Sequence, residues 1–166
     1  GDITYSNIQL TKGTQAHSYI PYGKYGIEVK TTGKNLFSGL SYTRTTNGIT
    51  FIYNDDGSIS VNGTATANAY SITTSTISTN GWFQSLKAGT YTLSGGLNNN
   101  IVLQILDSDG TALASSGRTS NSFTITSEKQ IYIRVYVANG TQVNTTIYPQ
   151  LEKGTQATTY EEYKSN

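Results

Sequence analysis

The sequence predicts an all-β fold, an antiparallel two-sheet β-sandwich of the jelly-roll kind, and three observations carry that expectation. The hydrophobic fraction is 35% and only 13% of residues are charged, so polarity resides in Thr, Ser, Asn, Gln and Gly. Thr and the 13 Tyr suit a pleated, half-buried surface, whereas good helix formers are sparse and scattered. Short stretches of alternating polarity recur at hairpin-like spacing, separated by Asp-Gly, Asn-Gly and Gly-Gly pairs.

The chain opens with an echo of its end. Residues 9–22 set against residues 150–163 are identical at nine of fourteen positions. The motif reads as a module terminus: residues 1–24 are expected to be the C-terminal end of a preceding module or a linker, and residues 25–166 the β-sandwich module. The absence of Met fits a slice of a longer protein. Ile27 and Val29 start a short strand. Residues 48–53 and 59–61 flank Asn54-Asp55-Asp56-Gly57-Ser58, a hairpin in which Asp-Gly supplies the positive φ of a tight turn. Residues 71–79, dense in β-branched side chains and without a helical period, read as irregular chain and strand. Tyr91 and Leu93 share one face of a strand over residues 86–94, and a strand over residues 101–106 ends at Asp107-Ser108-Asp109-Gly110. Phe123 and Ile125 share a face over residues 121–126. Residues 130–137 form the clearest strand, and residues 144–151 the last, which runs into the closing motif.

Alternation divides residues 131–137 into two faces. Ile131, Ile133, Val135 and Val137 must face the core. Tyr132, Arg134 and Tyr136 then point the other way, two rings flanking a guanidinium, and Gln104 can join them from a neighbouring strand. Sugars present polarised C–H faces that stack on aromatics and hydroxyls that need planar donors and acceptors, so this row suits a glycan. Exposed Tyr and Arg also serve as ordinary cross-strand partners on a solvated sheet. Trp82, just after Asn80-Gly81, reads either as a core plug beside Phe83 and Leu86 or as the rim of the same platform. Tyr70 and Asn68 are candidates for a loop-end site.

The two Asp-Gly turns resemble fragments of a calcium loop, but neither is followed by the bidentate Glu of an EF-hand, and turn geometry explains both. A structural Ca²⁺ is the one metal they would suit, and no cofactor is expected. An enzyme is not expected either. The single His17 lies in the opening echo, Cys is absent, and neither a Gly-x-Ser-x-Gly elbow nor a phosphate loop occurs. No pair of carboxylates has a reason to converge as glycoside hydrolysis requires. Net charge is +1 with Lys and Arg dispersed, which leaves no footprint for nucleic acid or an anionic membrane. No apolar run approaches the roughly 20 residues that span a bilayer, so membrane insertion is not expected.

Several segments carry a resemblance. Tyr148-Pro149-Gln150-Leu151-Glu152-Lys153-Gly154-Thr155, with Ala157, Tyr160 and Tyr163, resembles the ending of jelly-roll modules in tail and minor structural proteins of phages and prophages of Gram-positive bacteria. Asn35-Leu36-Phe37, the stretch from Asp56 to Ala65 and the stretch from Leu86 to Gly95 are similar to internal segments of the same modules. The resemblance implies a carbohydrate-binding-like sandwich in a tail-tip or receptor-binding assembly, on the virion or a cell surface. Its implied partners are host cell-wall polysaccharide or surface glycan and neighbouring tail subunits. It implies neither a particular sugar nor a set of ligand residues. The expectation is therefore a non-catalytic glycan-binding module, with Tyr132, Arg134, Tyr136 and Gln104 as its platform and Trp82 at the rim. The alternative is a spacer or oligomerisation module whose exposed tyrosines meet a neighbouring subunit. In either case Ala157, Tyr160 and Tyr163 are suited to pinning the exit strip.

Overall fold

β-Branched and aromatic residues alternate with polar ones through much of residues 33–164, the part of the chain that the computed structural model describes. The chain divides into two units, Gly1–Thr31 and Thr32–Asn166. The opening echo, His17 and the strand expected at Ile27 and Val29 lie outside the described residues.

The described elements are β1 (Tyr42–Thr46), β2 (Ile49–Tyr53), β3 (Ile59–Thr64), β4 (Ala69–Tyr70), α1 (Thr74–Asn80), β5 (Gln84–Leu86), β6 (Gly89–Ser94), β7 (Ile101–Asp107), β8 (Ala112–Ser116), β9 (Asn121–Ile125), β10 (Lys129–Val137), β11 (Gln142–Ile147) and β12 (Gln150–Lys153). Every pairing between them is antiparallel. The first sheet runs β1-β2-β3-β11, the second β4-β10-β7-β8 and the third β12-β6-β9. β5 also pairs with β10, on the edge that β4 occupies further along. Among the described residues the fold is all-β, with one short helix.

The hairpin at residues 54–58 forms as expected: Asp56 Oδ1 accepts from Ser58 N at 2.8 Å and from Ser58 Oγ at 2.6 Å. A second hairpin, β1 to β2, turns on Asn47 and Gly48 with φ of 48° and 79°. Both central residues are thus left-handed, as a two-residue primed turn requires. Residues 71–79 correct the sequence reading, because most of them form α1 rather than irregular chain and strand. Thr73 caps its start, Gly81 closes it at φ 66°, and buried Ile77 ties it to the core. The helix is specified by its ends and one anchor, and so it shows no periodicity.

Ile49, Phe51, Ile59 and Val61 of the first sheet share one buried cluster with Leu103, Ile105 and the four aliphatics of β10, and with Leu93 and Leu151 of the third sheet. Tyr53 reaches from the first sheet to the second, its hydroxyl 2.6 Å from Ser71 Oγ and 3.4 Å from the Ile133 carbonyl. Burial pushes that phenol's pKa far above the ordinary value.

Of the residues expected to pin the closing motif, Ala157 is exposed, Tyr163 lines a shallow cleft with Leu40 and Asp55, and half-buried Tyr160 meets Tyr148 edge-on at 5.3 Å. Polar groups hold it as well: buried Gln150 accepts from Glu161 N at 2.7 Å and donates to the Thr158 carbonyl at 3.2 Å, while Glu152 accepts from Thr158 N at 3.0 Å. Asn35, also buried, donates to the Pro149 and Glu161 carbonyls and accepts from Leu151 N at 3.1 Å.

Candidate functional site

Register brings the candidate row together. β10 sets Arg134 opposite Gln104 and Tyr136 opposite Val102 on β7, while β4 sets Tyr70 opposite Tyr136 on the other side. Directly paired residues point to the same face, so Tyr70, Tyr136, Arg134 and Gln104 form one surface. Arg134 Nε donates to Gln104 Oε1 at 2.9 Å, and its guanidinium carbon lies 4.4 Å from the centre of the Tyr70 ring. The Tyr70 and Tyr136 rings are 5.4 Å apart and tilted by 42°. The Tyr136 hydroxyl donates to Asn68 Oδ1 at 3.2 Å, and Asn68 Oδ1 also accepts from Asn139 N at 3.0 Å. Tyr70, Tyr136, Arg134 and Gln104 are half-buried, and exposed Ser115, opposite Gln104 on β8, extends the row.

Tyr132 does not belong to this open surface. It is only 3% exposed, its hydroxyl lies 2.9 Å from Thr74 Oγ1, and its ring meets Phe83 edge-on at 6.2 Å. The cause is the excursion between β4 and β5. The chain leaves the β10 edge after Tyr70, makes α1, and returns at Gln84 opposite Ile131. That excursion brings Thr74 and Phe83 onto Tyr132, and its cross-strand partner Leu106 is buried too.

Trp82 likewise has other neighbours. Its half-buried ring meets Tyr42 edge-on at 4.9 Å and lines a cleft of about 100 Å³ with Phe37, Leu40, Phe83 and Tyr132. It packs against the core rather than rimming the row around Arg134. Tyr70 takes the place that the alternation argument gave to Tyr132. The sequence marks Tyr70 and Asn68 only as neighbours suited to a loop-end site, because a two-residue strand such as β4 carries no period; the structure brings both to the row beside Tyr136.

The charges around the row are one-sided. The ion pairs among the described residues are Lys34 with Glu161 at 3.2 Å and Lys129 with Asp107 at 3.4 Å, so Arg134 has no carboxylate partner there. The Asp107 carboxylate is occupied by its own turn, accepting from Asp109 N at 3.1 Å and Thr111 N at 2.9 Å. Among the described residues no group of three His, Cys, Asp or Glu gathers as a metal site would need. Comparison with protein families, curated proteins and solved structures found no match to this chain.

Proposed function

We propose that this chain is a non-catalytic glycan-binding module of a phage tail or receptor-binding protein, a jelly-roll sandwich that attaches to host cell-wall polysaccharide or surface glycan. The supporting observation is the row of Tyr70, Arg134 and Tyr136, fixed by contacts to Gln104 and Asn68 and only half-buried. Rings held in place lose little freedom when a sugar stacks on them, and a guanidinium and amide beside them serve its hydroxyls. Each site is shallow and weak, and copies arrayed on a virion act through avidity. A multivalent display of the protein on a glycan array tests this. Binding is expected, with a loss of about tenfold in Tyr70→Ala with Tyr136→Ala. No bound glycan, or a double variant that binds like the parent, rejects the site.

A spacer or oligomerisation role has its own support in Tyr148 and Tyr163, 48% and 40% exposed near the exit strip. A stable oligomer in solution that protects these two tyrosines would favour it.

A further inference from the structure

Resting on the platform reading above, we infer that the ligand carries an oxyanion on its sugar, a carboxylate or a phosphate, and that Arg134 receives it. A guanidinium offers its donors along its edges and its faces to rings. In Arg134 the Nε donor is spent on Gln104 Oε1 at 2.9 Å, and one face lies over the Tyr70 ring at 4.4 Å. What remains is the edge bearing the two terminal nitrogens, neither of which bonds to a described residue. That edge is the fork that fits two oxygens of one carboxylate or phosphate.

The charge balance points the same way. The acids of the described chain sit in the two Asp-Gly turns, at Glu128 and in the closing motif, and none pairs with Arg134. A free arginine on a surface is usually mobile and gains little from pairing, because ordering it offsets the attraction. Here Gln104 and Tyr70 have already ordered it, so that cost falls on folding rather than on binding. Tyr136, bonded to Asn68 at 3.2 Å and 5.4 Å from the Tyr70 ring that carries the guanidinium, supplies a second ring in the row on which the rest of the sugar can stack.

The test is a multivalent display assayed in three arms: neutral oligosaccharides, counterparts containing uronic acid, and counterparts linked by phosphodiesters. At low salt the protein is expected to prefer at least one acidic arm over the neutral one by about fivefold to tenfold, and added salt should shrink that preference. In Arg134→Gln neutral binding should weaken as a guanidinium contact is lost, while the acidic-to-neutral ratio should fall to about one, and an unchanged denaturant midpoint shows that the variant is folded. Arg134→Lys, which keeps the charge but not the fork, should fall between the two. Equal binding of neutral and acidic arms by the parent protein overturns the oxyanion inference and leaves the platform reading standing. An acidic preference that survives in Arg134→Gln overturns the assignment to Arg134, and failure to bind any arm overturns both readings.

Discussion

Glu152 and Arg134 are both charged side chains that the fold holds in one geometry, and their surroundings give them different roles. Glu152 is 3% exposed, and burial alone would raise its pKa. The hydroxyl and N–H of Thr158, with help from Gln150 and the charge of Lys34, outweigh that and hold the carboxyl below the usual range. A folded-state pKa below the unfolded value of 4.5 means stability that is present above pH 4.5 and is lost as pH falls through the lower folded value. Denaturant midpoints measured across that window should therefore drop with acid in the parent protein. Glu152→Gln should start about 1–2 kcal/mol less stable near neutral pH and show a flatter acid limb. A parallel pair of curves would remove Glu152 from the account. Arg134 has no carboxylate partner among the described residues, and it is half-buried rather than enclosed.

Among the elements, β10 was the most legible, since Ile131, Ile133, Val135 and Val137 are all buried as their alternation required. Alternation assigns a side chain to a face but does not say what covers that face, which is why Tyr132 was misjudged. The Asn47-Gly48 hairpin carried a strong turn signal in the sequence, yet β1 itself, Tyr-Thr-Arg-Thr-Thr, offers too few apolar residues to announce a strand. α1 was illegible for a different reason. Its residues, Thr-Ser-Thr-Ile-Ser-Thr-Asn, are weak helix formers, and seven of them cannot sustain a helix alone. The Thr73 cap, the Ile77 anchor and the left-handed Gly81 hold it in place. A Cβ at Gly81 would meet nothing within 4 Å, so Gly81→Ala isolates the backbone term. It should lower the unfolding free energy by about 1 kcal/mol, read as a shift in denaturant midpoint at constant slope. No shift would mean that the helix does not depend on this closure.

At the scale of the molecule, polar side chains tie the third sheet and the closing segment together beside the common core. Asn35 joins the start of the described chain to β12 and the exit strip, and Gln150 and Glu152 fold the closing motif back on itself. The copy of the motif at residues 150–163 is therefore folded back by its own polar groups, and the proposed platform is carried by other strands, β4, β10 and β7. Amide chemical-shift mapping during titration with the best glycan from the array tests that division most directly. The proposed function predicts that the largest shifts fall at Asn68, Tyr70, Gln104, Arg134 and Tyr136. Shifts concentrated in the cleft beside Trp82 or along residues 150–163 would contradict it.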